Sequence, residues 1–135
     1  MPDLNLANPA VSAELTRIAI AWLDEGVDGF RLDAAKHLIE TGADSQVNTP
    51  ETYAWLRDFR AALRADHPDA LVLGEGWEPR LVTSSYVALG SLDLAFDFPI
   101  GATILSAVRL GDGTSLEVGW GRSTTCIRAT TWRPS

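Results

Sequence analysis

The sequence has little cysteine, little positive charge and no long apolar run, and each shortage excludes a class of protein. Its single cysteine, Cys126, can form neither an internal disulfide framework nor a cysteine-based metal site. Its 11 basic residues are outnumbered by 18 acidic ones, whereas nucleic-acid and anionic-membrane surfaces need clustered lysine and arginine. No stretch reaches the roughly 20 apolar residues of a membrane span, and the first residues lack the basic and apolar regions of a signal peptide. We therefore expect no nucleic-acid or membrane partner, and no cellular compartment follows from the sequence.

Three short apolar runs, each ending on a carboxylate, predict buried β-strands. They are residues 27–33, 70–75 and 92–97. Because helical patterns separate them, we expect parallel strands joined by right-handed crossovers. In a (β/α)8 barrel the charged residues at the carboxyl ends of the strands form the catalytic site. The sequence therefore predicts an α/β fold, a partial TIM barrel with about three of the eight β/α units.

Two of the predicted helices have clear start signals. An Asn8-Pro9 pair and a Thr49-Pro50 pair each place a proline just inside the first turn. The first helix should end at Gly26, and further helical stretches are predicted over residues 34–40 and 100–110. Helical spacing gives the expected core-facing residues, which are Val11, Leu15, Ile18 and Trp22 in the first helix and Leu56, Phe59 and Leu63 in the second.

The stretch Gly29-Phe30-Arg31-Leu32-Asp33-Ala34-Ala35-Lys36-His37 is the most informative part of the chain. The alternation of a strand puts Arg31 and Asp33 on one face. Charges on a buried strand are costly unless they bind each other or a ligand, which indicates a site. The alternative for Asp33 is that it caps the helical turn that follows.

The carboxylates that end the other strands differ in how well a structural role explains them. Asp97, before Phe-Pro, is better explained as a turn residue, and Asp93 as a partly exposed strand residue. Glu75 has no such explanation, because glutamate is a poor helix cap and the preceding Gly74 allows another group to approach the backbone. Glu75 is therefore a candidate functional residue.

Two carboxylates on neighbouring barrel strands can cleave glycosides. At a separation of ~5 Å, one acts as nucleophile and the other as acid and then base, and configuration is retained. Arg31 would hold Asp33 ionised through charge-assisted hydrogen bonds. Glu75 would need a less polar setting to stay protonated.

The candidate residues lie in segments that resemble three motifs of the alpha-amylase family of glycoside hydrolases, in the same order. Residues 29–37 resemble the nucleophile segment, and residues 73–77 (LGEGW) resemble the acid/base segment on the next strand. Residues 1–5 (MPDLN) resemble a short motif that precedes the nucleophile helix. The resemblance covers roughly residues 1–110, which we interpret as a fragment of the catalytic domain.

The resemblance implies a role for each candidate residue. Asp33 corresponds to the nucleophile, Glu75 to the general acid/base and Arg31 to the partner of the nucleophile. The positions that contact the leaving-group sugars correspond to Lys36, His37 and Trp77, which would otherwise be interpreted as an exposed lysine, a satisfied histidine and a core tryptophan. The implied substrate is an alpha-glucan or oligosaccharide. No cofactor is implied, although calcium, which some members bind at the position of Asp3, is compatible with a complete enzyme.

Two segments of the family pattern do not occur in the chain. One is an earlier strand whose Asp is followed by an Asn-His pair, and the other is a later Asn-His-Asp triplet whose aspartate binds sugar hydroxyls. Where the triplet is expected, residues 111–135 change character, since residues 118–135 contain three arginines and no acidic residue. We interpret residues 111–135 as the product of a reading-frame error or a junction, and the alternative is a divergent disordered tail.

An incomplete barrel has physical consequences. Three open parallel strands leave two unpaired edges, so we expect the isolated chain to fold poorly or to aggregate. Without the third carboxylate segment, we expect it to hydrolyse nothing. Two other functions stay open: a non-catalytic remnant that binds carbohydrate or a partner chain, and a metal-dependent barrel enzyme of the enolase type.

Overall fold

The computed structural model describes residues 3–114 and 116, so Met1, Pro2 and most of the predicted tail lie outside the described residues. Within them, helices and strands alternate as α1 (Pro9–Asp24), β1 (Gly29–Leu32), α2 (Pro50–Asp66), β2 (Leu71–Gly74), α3 (Arg80–Ala88), β3 (Leu94–Ala95) and α4 (Phe98–Leu110). A single 3-10 turn, Ala35–His37, follows β1. In this described part of the chain, no helix combines the length and the apolar character needed to cross a membrane.

The three strands form a parallel sheet in the order β1-β2-β3, which confirms the predicted α/β arrangement.

Two glycines allow the strands and the core to approach closely. A Cβ on Gly29 would clash with the backbone carbonyl of Leu71, and a Cβ on Gly74 would clash with the side chain of Leu92. The close approach predicted at Gly74 is therefore made by a core leucine rather than by a ligand.

The predicted helix starts are confirmed. The Asn8 side chain accepts the backbone N–H of Ala10 at 3.0 Å, and the Thr49 hydroxyl accepts the N–H of Thr52 at 3.1 Å. These bonds satisfy N–H groups that a helix leaves unpaired in its first turn. Helix α3 was not predicted, because Pro79 precedes it and supplies no side-chain cap.

One cluster of buried side chains joins α1, α2, α3 and the sheet. The stripe predicted for α2 is confirmed, because Leu56, Phe59 and Leu63 are all buried. The stripe predicted for α1 is partly wrong, because its buried residues are Ala19 and Leu23, while Ile18 and Trp22 are exposed. Helix α1 packs against α2 along one narrow face, so the flank that carries the larger side chains meets solvent.

Candidate active site

The segment after β1 turns sharply. Ala34 has left-handed backbone angles (φ 45°, ψ 40°), and the helix predicted over residues 34–40 is reduced to the 3-10 turn. A left-handed residue with a side chain is uncommon and breaks the path from strand to helix. Ala34, not Asp33, is the N-cap of this turn, and no side chain caps it. The alternative role of Asp33 as a helix cap is therefore wrong.

Arg31 lies between the two candidate catalytic carboxylates. Its Nη2 atom is 3.1 Å from Oδ1 of Asp33 and also contacts Oε2 of Glu75. The Asp33 side chain is 80% exposed, whereas that of Glu75 is 19% exposed. The structure thus brings together all three residues that the sequence predicted to be catalytic.

The ammonium group of Lys36 is bound to other groups of the protein. Its Nζ atom is 2.8 Å from Oε1 of Glu78 and donates to the backbone carbonyl of Trp77 at 3.2 Å. The side chains of Lys36 and Glu78 are only 21% and 15% exposed. The interpretation of Lys36 as an exposed helix lysine is therefore wrong, and the predicted contact with a sugar stays a prediction.

Glu78, which the sequence analysis missed, is the ion-pair partner of Lys36 in this region. The hydrogen bond from Lys36 lowers the pKa of Glu78 below its usual 4.5 against the opposing effect of burial, and the Asn48 side chain and the charge of His37 also lower it. Asn48 accepts the hydroxyl of Tyr86 at 2.7 Å. Burial is the main cause that raises the pKa of Tyr86 above its usual range. No sequence signal indicates this network, because its members are far apart in the chain.

Trp77 stands at the surface beside the acid/base segment. Its side chain is 69% exposed, so its interpretation as a core residue is wrong. The ring stacks on Phe98, with 3.8 Å between centroids and 7° between planes, and Phe98 stacks in turn on Phe96 at 5.6 Å. The Arg31 guanidinium lies 5.9 Å from the centre of the Phe96 ring, within the range of a cation–π contact. An exposed, supported indole is a surface on which an apolar face of a sugar can pack.

His37 lies apart from the stacked rings of Trp77 and Phe98. It is exposed and lines a groove with the described part of the third motif, Asp3, Leu4 and Asn5. The structure therefore places His37 beside this motif rather than on the aromatic stack. Its predicted contact with sugar stays a prediction.

The remaining strand-end carboxylates have structural contacts. Oδ1 of Asp97 accepts the N–H of Ile100 at 3.0 Å, and Oδ2 is 2.9 Å from Nε of Arg80. Asp93 is partly buried, as predicted, and its side chain, which is 10% exposed, forms ion pairs with Arg60 and Arg64. Among residues 3–114 and 116, no group of three or more His, Cys, Asp or Glu side chains could hold a metal ion.

Comparisons with known proteins agree with the resemblance of the motifs. The family model described as "Alpha amylase, catalytic domain" matches residues 1–116. Alpha-amylase 3 of Dictyoglomus thermophilum is 36% identical over 108 residues, which are 80% of this chain and 20% of that protein. Trehalose synthase/amylase TreS of Mycolicibacterium smegmatis is 37% identical over 113 residues, 80% of this chain and 19% of that protein.

Solved structures show the same fold relationship. Eubacterium rectale Amy13B superposes with a TM-score of 0.77 at 29% identity, covering 97% of this chain and 25% of that chain. A structure described as a family GH13_31 enzyme superposes with a TM-score of 0.64 at 31% identity over 71% of this chain and 21% of that chain. The chain therefore spans about a fifth to a quarter of the length of these proteins.

Proposed function

Because this chain belongs to the alpha-amylase family of glycoside hydrolases, we propose that it is the segment of a retaining glycosidase that carries the nucleophile and the general acid/base. The proposed substrate class is alpha-linked glucans or oligosaccharides. One observation carries the proposal: a single nitrogen of Arg31 contacts the carboxylates of both Asp33 and Glu75. Two carboxyl groups that contact one nitrogen lie close together, which supports the short spacing that a covalent intermediate requires.

The proposed reaction has two displacements. The Asp33 carboxylate attacks the anomeric carbon while Glu75 gives its proton to the departing glycosidic oxygen, which leaves a glycosyl ester on Asp33. Water then attacks the same carbon, Glu75 takes its proton, and the bond to Asp33 breaks. Arg31 orients the Asp33 carboxylate for the first step through its contact at 3.1 Å. The exposed ring of Trp77 would line the side on which the leaving sugar departs.

The first experiment is to sequence the encoding DNA for several hundred bases on both sides and to translate every frame. The proposal expects the missing strands, including one that ends in Asn-His-Asp, in the flanks. The product of the joined frame should cleave maltoheptaose with retention, as followed by NMR of the anomeric proton. Asp33→Asn and Glu75→Gln should each abolish cleavage. An active enzyme in which either variant keeps full activity would overturn the assigned roles.

The isolated chain is expected to turn over no maltoheptaose, because the aspartate of the missing triplet contributes a contact that strengthens in the transition state. Turnover by the purified 135-residue chain would contradict this expectation. Unrelated DNA on both flanks would also count against a role as part of a larger enzyme.

A second candidate function is carbohydrate binding without turnover, and the exposed stack of Trp77 on Phe98 favours it. Maltoheptaose would then quench tryptophan fluorescence of the isolated chain. The Trp77→Ala variant should lose the quenching, whereas Glu75→Gln should keep it. Loss of binding in Glu75→Gln would instead favour the catalytic site.

A further inference from the structure

Lys36 is the only lysine of the chain, and its ammonium group is already bound. It pairs with Glu78 at 2.8 Å and donates to the carbonyl of Trp77 at 3.2 Å. An ammonium has three donors, so two of them are used within the protein. Lys36 and Glu78 are 42 residues apart, and their contact joins the 3-10 turn after β1 to the loop after β2.

The link is reinforced on both sides. The Asn48 side chain lies near enough to the Glu78 carboxylate to lower its pKa, and the backbone N–H of Asn48 donates to the carbonyl of Lys36 at 2.9 Å. Asn48 has a left-handed φ of 54°, which asparagine tolerates better than most residues. Glu78 therefore contacts both the segment that follows Asp33 and the loop that leads into α2.

We propose that Glu78 is a positioning residue of the candidate active site, whose ion pair with Lys36 holds the nucleophile segment against the acid/base segment. The inference rests on the proposed function, because only there do Asp33 and Glu75 react with substrate. Asp33 and Glu75 lie just outside the short strands β1 and β2, where few hydrogen bonds between strands fix the chain. The Lys36–Glu78 pair adds a side-chain constraint to the backbone hydrogen bonds between these segments, since charge-assisted hydrogen bonds between partly buried groups are strong and directional.

The separation of the two carboxyl groups decides the chemistry. Retaining enzymes place them roughly 5–5.5 Å apart, whereas inverting enzymes place them about 6.5–9.5 Å apart to admit a water. A loop displacement of only a few ångströms therefore abolishes the covalent route. In this interpretation Lys36 does not contact the sugar as a free cation. It contributes to substrate binding indirectly, because its hydrogen bond fixes the backbone carbonyl of Trp77.

The test uses two chemical labels on the full chain, read by peptide mass spectrometry. An acetylating ester reports Lys36, with the α-amine as internal reference, and carbodiimide coupling to an amine reports the Glu75 carboxyl. Glu78→Gln should raise both labelling rates about fivefold or more, as expected when local opening becomes easier by roughly 1 kcal/mol. Lys36→Met should raise the rate at Glu75 similarly. The charge-swapped double variant, Lys36→Glu with Glu78→Lys, should return the rate at Glu75 to near that of the parent.

Arg64→Met is the matched control. Arg64 contacts one carboxylate, that of Asp93 at 2.9 Å, and one backbone carbonyl, that of Ala70 at 3.2 Å. It therefore makes the same two kinds of contact as Lys36, but it makes them before the start of β2. Because Asp93 keeps its ion pair with Arg60 in this control, both rates should rise less than in Glu78→Gln.

Several results would overturn the inference. One is an unchanged labelling rate at Glu75 in Glu78→Gln, and another is an equal rise of that rate in Arg64→Met. The inference also fails if the charge swap does not restore the protection of Glu75, or if the parent chain is labelled as fast as it is in urea. The expected labelling pattern, together with a joined-frame product that does not cleave maltoheptaose, would instead refute the proposed function and leave the positioning by Glu78 supported.

Discussion

Ala35 donates its backbone N–H to the carbonyl oxygen of Glu75 at 2.8 Å, and this bond joins the two segments that carry the candidate catalytic carboxylates. The N–H of Glu75 donates in turn to the carbonyl of Leu32 at 2.9 Å. The pairing of β1 with β2 therefore continues past the ends of both strands, up to the left-handed turn at Ala34. The backbone and the Lys36–Glu78 ion pair constrain the same two segments from different sides.

The ion pairs of Asp93 are expected to stabilise the fold without contributing to the site. Its Oδ1 atom lies 2.8 Å from Nε of Arg60 and 2.9 Å from Nη2 of Arg64, and Oδ2 accepts the N–H of Val72 at 2.9 Å. Asp93→Asn leaves both guanidinium groups facing a neutral amide, so we expect a loss of about 3 kcal/mol in the free energy of unfolding. Urea titration followed by circular dichroism measures it.

The control for Asp93 is the exposed pair of Glu14 and Arg17. Arg17→Gln removes a pair of comparable length from the surface of α1, where solvent screens it, and should leave the urea midpoint unchanged. Equal midpoints for Asp93→Asn and Arg17→Gln would contradict the prediction.

The sequence predicted the elements whose ends are marked by local chemistry. Asn8 and Thr49 identified the starts of α1 and α2, because a cap is a contact between neighbours in the chain. It failed where long-range packing decides, as in the exposure of Ile18 and Trp22. Helix α3 carries no start signal at all.

The candidate site shows the same division between local and long-range information. Alternation along β1 placed Arg31 beside Asp33, which the structure bears out at 3.1 Å. The contact of Arg31 with Glu75 and that of Lys36 with Glu78 depend on the register of β1 against β2. Periodicity within one strand contains no information about that register, which explains why Glu78 was missed.

The close contact between β1 and β2 should not tolerate a side chain at Gly29. A Cβ there would overlap the backbone carbonyl of Leu71, which cannot move without breaking the ladder. We expect Gly29→Ala to lower the free energy of unfolding by about 3 kcal/mol or more, a loss of the size that severe steric conflicts cause. The matched control is Gly42→Ala, because a Cβ on Gly42 meets nothing within 4 Å. A urea midpoint for Gly29→Ala equal to that of the control would refute this account of the register.

The isolated chain should self-associate through its sheet edges. In the described sheet, β1 and β3 each pair on one side only, and Leu94 of β3 is exposed. Unpaired N–H and C=O groups beside apolar side chains are a template for a further strand. Light scattering after gel filtration should give a mass well above the 14.6 kDa of one chain.

A charge on the edge strand should reduce that association. Leu94→Lys places a lysine where natural sheets use one to block edge pairing. Leu81→Lys is the control, because Leu81 is even more exposed but lies on α3. A parent chain that stays monomeric would contradict the prediction.

The Lys36–Glu78 pair should make stability depend on pH in a specific window. The pKa of Glu78 in the folded chain lies below its usual 4.5, chiefly because Lys36 donates to the ionised carboxylate. The unfolded chain therefore binds the proton first as pH falls, so the pair stabilises the fold fully above 4.5 and loses its contribution progressively below that value.

Comparison of the parent chain with Glu78→Gln isolates this contribution. The parent should have the higher urea midpoint at neutral pH, and the difference should shrink as pH falls through and below 4.5. Glutamine keeps the shape and a hydrogen-bond acceptor but cannot be ionised, so loss of charge is the main change. The Arg17→Gln variant should show no such convergence, because its pair is exposed. If the difference between the parent and Glu78→Gln were constant from neutral to acidic pH, charge would not hold the two segments together. Any positioning by Glu78 would then act through its shape alone.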